Sequence, residues 1–203
     1  MKVFVNILLG GIGIALTASI SVLFIEQTYL ATKEKIQSET RRAKAKKLFE
    51  IFPQTTHDND LATDTFPLKA NTPLLELRKA STGYKARKNG EVIGIILPVT
   101  ARDGYAGDIQ ILVGINQDTS VQGVRLLAHR ETAGLGDRVD LDKSNWLLSM
   151  NGRSLKNTPR GKWGVIKEGG EFDKLTGATI TPKAILRATR RALEFAEAHY
   201  ISM

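Results

Sequence analysis

The side chains that could do chemistry are concentrated in residues 173–182, with the sequence DKLTGATITP. We interpret this stretch as a tight turn that runs into a helix. Thr181 is predicted to be the N-cap and Pro182 the first helical residue, where its missing N–H costs nothing. The start of a helix presents free backbone N–H groups and a positive dipole end, which together favour an anion. The stretch therefore predicts an anion site, although turn and cap chemistry without a ligand uses the same residue types.

Within this stretch, the small residues Gly177 and Ala178 leave the backbone open to a bulky phosphate. Thr179 would present its hydroxyl to that phosphate. A threonine hydroxyl is a poor nucleophile at neutral pH, and no Ser-His-Asp arrangement is visible to activate it. We therefore interpret Thr179 as an acceptor that another enzyme modifies.

The stretch also resembles a known family. Asp173, Thr176, Gly177, Ala178 and Thr179 match Asp-x-x-[Ser/Thr]-Gly-Ala-Thr, the flavinylation signature of the FMN-binding domain. That domain occurs in the C subunit of the sodium-translocating NADH:quinone reductase and in the G subunit of the Rnf (Rsx) complex. The resemblance implies one FMN per chain, attached as a phosphoester to Thr179 by a flavin transferase that takes FMN from FAD.

A second stretch, His129 to Gly136 (HRETAGLG), follows a predicted strand and combines hydrogen-bonding side chains with two glycines. An ordinary polar loop is the competing interpretation. The same family has a Gly-Tyr-x-Gly loop, two strands, and then His-x-Glu-Thr-Pro-Gly-Leu-Gly; the departure here is Ala133. The resemblance implies that this loop lies near the flavin, with Thr176 at the phosphate end. The cofactor-binding residues implied in this loop are His129, Glu131, Thr132, Gly134, Leu135 and Gly136.

The composition restricts the possible chemistry. The 203 residues carry a net charge of +8, with no Cys and three His. Disulfides, thiolate iron–sulfur ligation and Cys catalysis are therefore excluded. Three His are too few to suggest a metal cluster, and no zinc spacing or helix-turn-helix pattern favours nucleic acid. Redox chemistry would need a cofactor without Cys ligands.

The first 25 residues predict an uncleaved membrane anchor. Val3 to Ile25 carries no charge and is long enough to cross the hydrocarbon core as a helix. A cleaved signal peptide is the alternative, but the apolar run is long and no cleavage site follows it. Basic residues such as Lys33 and Arg41 follow the anchor, so a positive-inside count places the large domain in the cytoplasm. The resemblance implies the opposite, a bacterial inner-membrane protein with a periplasmic FMN domain, and we follow it.

The remaining pattern predicts an α+β fold. Residues 26–52 indicate a helical stalk that ends before Pro53, and residues 53–203 the FMN-binding domain, a largely antiparallel sheet with packed helices. Asn89-Gly90 predicts a type I′ hairpin turn. Predicted strands cover residues 83–88, 91–99, 109–115, 121–128 and 162–166; predicted helices cover residues 139–148 and the segment after Pro182. His57 is predicted to be a surface residue and Trp146 a core residue.

Taken with the resemblance, these features imply a non-autonomous flavoprotein subunit of a membrane complex. Such a complex passes electrons between carriers at the ferredoxin and NAD levels and couples this to ion movement; in some bacteria it is thought to keep a redox sensor reduced. Its partners would be other subunits of that complex. The alternatives are the C subunit of the sodium-translocating reductase, a flavin-free structural or assembly subunit, and an anchored module that binds anions or lipid through the basic stalk.

Overall fold

The computed structural model describes residues 2–199. The helices are α1 (Lys2–Ile51) and α2 (Ile180–His199), and the strands are β1 (Thr65–Leu68), β2 (Ser81–Lys88), β3 (Glu91–Ala101), β4 (Ile109–Asn116) and β5 (Val121–Ala128). Short 3-10 helices cover Gly136–Val139, Trp146–Met150, Arg160–Lys162 and Ile166–Glu168. The chain forms two compact units, one up to Lys44 and one from Ala45 onward. The α+β class predicted from the sequence is confirmed.

The first unit is the exposed part of α1, which contains an apolar segment long enough to cross a membrane. Its most apolar 18-residue window has a mean hydropathy of 2.2 and is not buried. The polar hydroxyls in this segment bond within the helix. Thr17 donates to the carbonyl of Gly13 at 3.1 Å, and Ser19 to that of Ala15 at 2.8 Å. These bonds satisfy the hydroxyls where lipid offers no partner.

The second unit is organised around one five-stranded antiparallel sheet in the order β1-β2-β3-β4-β5. Asn89 (φ 53°) and Gly90 (φ 83°) form the turn between β2 and β3, as predicted for a type I′ hairpin. Strand β3 is buried almost throughout, in agreement with its continuous apolar run. The consecutive hairpins bring the loops after β3 and β5 to the same end of the sheet.

Both faces of the sheet are covered. On one face, α2 buries an apolar stripe that includes Ile185 and Leu193 in the main core. On the other, Ile51 and Phe52, at the end of α1, pack in a second cluster. A Cβ at Gly114 would lie 2.1 Å from Ile51 Cγ2, so only glycine lets the helix end approach the strand this closely. On the first face, the close packing of the α2 stripe in the main core fixes the position of α2 on the sheet.

Two elements predicted from the sequence are wrong. Residues 139–148 form turns and a 3-10 helix instead of an α-helix. Ser144 Oγ bonds the carbonyl of Arg138 and accepts from the N–H of Trp146 at 3.3 Å, so it replaces bonds that a helix would make. Residues 162–166 form no strand beyond a single bridge between Val165 and Phe172, because the chain turns twice there.

The prediction for His57 is also wrong. Its side chain is buried, it stacks on the ring of Phe49, and its Nδ1 hydrogen-bonds the carbonyl of Asn59 at 2.9 Å. Trp146, in contrast, is a core residue as predicted. The signature stretch lies between the irregular segment 129–172 and α2.

Candidate functional site

A cavity of about 420 Å³ opens where three separate segments of the second unit meet. These segments are the loop after β3, the loop after β5, and the turn that leads into α2. Its lining residues are Tyr105, Glu131, Thr132, Leu135, Gly136, Gly177, Ala178, Thr179, Ile180 and Thr181. The two stretches singled out in the sequence thus contribute to one cavity, 40 to 50 residues apart along the chain.

Thr179 lies directly before α2, with its side chain exposed at the cavity. Helix α2 begins at Ile180, so the prediction that Thr181 is its N-cap is wrong. Thr181 lies in the first turn, is 1% exposed, and donates its hydroxyl to Glu131 Oε2. Pro182 also lies in the first turn, where no helical acceptor for an N–H exists. The positive end of the α2 dipole therefore faces the position of Thr179.

The turn before Thr179 is tight. The N–H of Ala178 bonds the carbonyl of Leu175 at 3.1 Å, and Gly177 has φ +85°, a conformation that favours glycine. Leu135 from the other loop packs directly against this turn, since a Cβ at Gly177 would lie 2.7 Å from Leu135 Cδ2. The turn and the loop after β5 are therefore in contact.

Glu131 lies between the segments that form the cavity. Its carboxylate is buried, with Oε1 accepting from the N–H of Ala106 at 3.0 Å and Oε2 from Thr181. Gly136 packs against both side chains; a Cβ there would lie 2.8 Å from Glu131 Oε2 and 2.9 Å from Thr181 Oγ1. The glycine thus leaves room for the carboxylate and the hydroxyl to meet.

Four of the residues proposed from the sequence do not line the cavity. His129 is half-buried; its Nδ1 accepts the N–H of Glu131 at 3.2 Å, and it lines a neighbouring polar cavity with Arg130. Thr176, Asp173 and Gly134 are exposed. The carbonyl of Asp173 accepts from Trp146 Nε1 at 2.7 Å, so its backbone is fixed although its side chain is not.

Sequence reasoning missed three lining residues, Tyr105, Ile180 and Thr181, as parts of the site. Tyr105 is 70% exposed and Ile180 46%, and exposed apolar side chains that cluster, unlike single ones, mark binding surfaces. An aromatic residue inside the glycine-flanked loop GYAG was the available signal for Tyr105. The side chains of Tyr105, Leu135 and Ile180 together form an apolar mouth of the cavity.

A buried carboxylate lies just beyond the loop, in the 3-10 helix after Leu135. Asp137 Oδ2 accepts from Lys143, and this hydrogen bond holds the pKa of Asp137 below its ordinary value against the opposing effect of burial.

Among residues 2–199 no group of three or more His, Asp or Glu side chains is arranged to hold a metal ion. Besides the buried carboxylate of Glu131, the described cavity offers the Thr179 hydroxyl, a helix start and an apolar mouth.

Comparison with known proteins identifies the family. The FMN-binding domain family matches residues 104–194, which include every lining residue of the cavity. The chain is 39% identical to the G subunit of the ion-translocating oxidoreductase complex of Vibrio cholerae serotype O1, over 93% of this chain and 90% of that protein. The proteins of the same name from Shewanella amazonensis and Aliivibrio fischeri are 38% and 37% identical over 92% of this chain and 85% and 88% of theirs. The chain therefore belongs to the G-subunit family of ion-translocating oxidoreductase complexes and contains an FMN-binding domain.

Proposed function

We propose that this chain is the flavoprotein subunit of a membrane-bound complex that couples electron transfer to ion translocation, with one FMN attached through its phosphate to Thr179. The observation that carries the proposal is the position of Thr179, exposed at a cavity and directly before the first turn of α2. The relatives are named as G subunits of an ion-translocating oxidoreductase complex, so the partners that we propose for this chain are the other subunits of such a complex.

The residues of the cavity suit FMN. A volume of about 420 Å³ falls within the range of cofactor sites, about 300–1,000 Å³. The apolar mouth formed by Tyr105, Leu135 and Ile180 fits an aromatic ring system, while the start of α2 fits the phosphate. A phosphodiester on Thr179 would keep one negative charge, which the helix dipole stabilises. When bound, FMN supplies one- and two-electron chemistry.

Attachment requires an external enzyme, because nothing described near Thr179 activates its hydroxyl. Its exposed side chain leaves that hydroxyl accessible to a flavin transferase. In the transfer, the bond from Thr179 Oγ to the FMN phosphorus forms, the pyrophosphate bond of FAD breaks, AMP leaves, and the hydroxyl proton is released. A tethered cofactor cannot dissociate into the space outside the membrane.

We further propose that residues 1–25 anchor the chain in the bacterial inner membrane and that the FMN domain is periplasmic. Residues 26–52 form a stalk, whose last residues, Ile51 and Phe52, pack on the sheet of the FMN domain. The long apolar segment of α1 supports the anchor. Electron exchange between carriers at the ferredoxin and NAD levels is the reaction that we assign to the complex. No independent turnover of a soluble substrate is expected of this chain.

Denaturing electrophoresis tests covalent attachment. The chain is co-expressed with a flavin transferase, purified, denatured and viewed for flavin fluorescence in the gel. We expect a fluorescent band at the mass of the chain, absent without the transferase. A colourless, non-fluorescent chain beside a flavinylated control protein would favour the flavin-free structural role instead.

A further inference from the structure

We infer that Glu131 is a positioning residue, whose buried carboxylate ties the loop that carries Tyr105 to the first turn of α2 and so shapes the cavity before any flavin binds. The part of this inference that concerns Thr179 rests on the proposed function. The part that concerns the two protein segments stands on contacts of the chain with itself.

The first step is that both oxygens of the carboxylate are engaged by the protein. Oε1 accepts the Ala106 N–H at 3.0 Å and Oε2 accepts the Thr181 hydroxyl. Glu131 is only 7% exposed, and no cation pairs with it among residues 2–199. A buried carboxylate needs its hydrogen bonds, and bonds to an ionised acceptor are stronger than those between neutral groups. Each donor is therefore held firmly.

The second step is that the carboxylate is itself held in place. The Glu131 N–H donates to His129 Nδ1 at 3.2 Å. Gly136, five residues later, returns so close that a Cβ would lie 2.9 Å from Glu131 Cβ and 2.8 Å from Oε2. The loop thus curls around its own glutamate, and the side chain has little freedom to turn away.

The third step is what the two donors carry. Ala106 directly follows Tyr105, the exposed aromatic residue at the cavity mouth. Thr181 lies two residues after Thr179, at most about 7.6 Å away between Cα atoms. A second contact has the same effect, because Asp103 in the Tyr105 loop pairs with Arg187 of α2 at 2.6 Å. Two contacts therefore join the Tyr105 loop to α2: the buried hydrogen bonds of Glu131 and the exposed Asp103–Arg187 ion pair.

This role differs from the direct contact with flavin that the family resemblance implies for Glu131. Since both oxygens already accept from the protein, removing the carboxylate is expected to loosen the cavity even in the absence of flavin. Thr181 provides the second test position. Its valine variant keeps the shape but loses the hydroxyl, and its serine variant keeps the hydroxyl.

The experiment uses full-length protein purified without the transferase. Hydrogen exchange is measured by mass spectrometry for Glu131→Ala, Thr181→Val and Thr181→Ser. We expect Glu131→Ala and Thr181→Val to exchange about tenfold faster in the Tyr105 loop and the first turn of α2, as for the loss of a bond to a charged group. Thr181→Ser should stay close to the parent. Thr158→Val, at another fully buried threonine, is the control for general destabilisation.

The same variants are then offered FAD and a flavin transferase. We expect the initial rate of attachment to fall about tenfold or more in Glu131→Ala and Thr181→Val. It should remain near the parent value in Thr181→Ser and Thr158→Val. If hydrogen exchange and the attachment rate are both parental in Thr181→Ser, the hydroxyl of residue 181 is the cause of the changes in Thr181→Val.

Two results would overturn the inference. One is parental exchange in both segments of the flavin-free Glu131→Ala and Thr181→Val proteins. The other is an altered flavin spectrum in Glu131→Ala with parental exchange, which would make Glu131 a direct flavin contact. If Glu131→Ala does not fold, the Thr181 pair decides. Faster exchange in the variants together with an unmodified parent would support the positioning role and reject the proposed attachment.

Discussion

The indole N–H of Trp146 donates a hydrogen bond to the backbone carbonyl of Asp173, with 2.7 Å between nitrogen and oxygen. Trp146 is buried in the main core, and Asp173 is the first residue of the signature stretch. The bond thus ties the start of the exposed turn to the core of the domain. Displacing the signature stretch should therefore impair the site even when all of its residues are kept.

The first prediction is that Trp146→Phe destabilises the chain and reduces flavin attachment. Phenylalanine keeps the aromatic packing but cannot donate to the Asp173 carbonyl. We expect the free energy of unfolding to fall by about 1–2 kcal/mol, as for a lost hydrogen bond. Urea denaturation of the detergent-solubilised chain measures this, and in-gel flavin fluorescence measures attachment.

The chain offers a matched control in Trp163, whose Nε1 donates to the carbonyl of Thr158 at 2.8 Å. Trp163→Phe removes a bond of the same kind away from the cavity. It should destabilise the chain by a similar amount and leave attachment near the parent level. Equal loss of attachment in both variants would show that stability alone, and not the position of Asp173, controls the site.

The second prediction concerns Gly177. Alanine there must adopt φ +85° and place its Cβ 2.7 Å from Leu135 Cδ2. The backbone conformation alone costs about 1–2 kcal/mol for a residue with a Cβ. Gly152→Ala is the matched control, because φ there is +74° but no atom lies within 4 Å of the new Cβ. We expect the two variants to lose a similar free energy of unfolding, since the Leu135 side chain is 45% exposed and can move aside. Only Gly177→Ala should reduce flavin attachment, because the displaced Leu135 lines the cavity. Parental attachment in Gly177→Ala would contradict the contact between turn and loop.

The third prediction follows from Asp137 and Lys143. The hydrogen bond from Lys143 lowers the folded-state pKa of Asp137 below its unfolded value near 4. The ionised carboxylate therefore stabilises the fold above about pH 4, and this contribution is lost as the pH falls through the folded pKa. We expect Lys143→Met to flatten the loss of stability between about pH 5 and about pH 3, measured by urea denaturation at each pH. Parallel curves for parent and variant would contradict this.

The fourth prediction concerns orientation and uses the absence of Cys in the chain. A single cysteine is introduced by Lys88→Cys, at the exposed end of β2, or by Lys2→Cys at the start of α1. In intact spheroplasts, a membrane-impermeant maleimide should label the Lys88→Cys chain and not the Lys2→Cys chain. The reversed pattern would support the positive-inside count and a cytoplasmic domain. Lysed cells, in which both variants should react, supply the control.

Local sequence patterns predicted much of the sheet. The alternation of short apolar runs with turn residues located β2 to β5, and Asn89-Gly90 located the tightest turn. These features depend on residues close together in the chain. The helical spacing after Pro182 likewise predicted the buried stripe of α2, including Ile185 and Leu193. The start of α2 was misplaced because Thr181 bonds Glu131, 50 residues away, instead of capping the helix.

Contacts that the residue pattern does not show explain the other errors. His57 is buried against Phe49, and no local sequence pattern predicts that contact. Residues 139–148 have apolar positions at helical spacing, but Ser144 takes up backbone hydrogen bonds and Trp146 turns toward Asp173. The sequence motifs identified both stretches of the candidate site. The cavity, its exposed Tyr105 and the Glu131 link depend on loops that only the folded sheet brings together.

The most direct test of the central claim is an intact mass measurement of the chain co-expressed with a flavin transferase. Parent, Thr179→Ala and Thr176→Ala are compared. We expect the parent and Thr176→Ala to gain the mass of one FMN less one water, and Thr179→Ala to gain nothing. An unmodified parent beside a modified control protein would contradict covalent attachment. A gain that persists in Thr179→Ala and disappears in Thr176→Ala would move the attachment to Thr176.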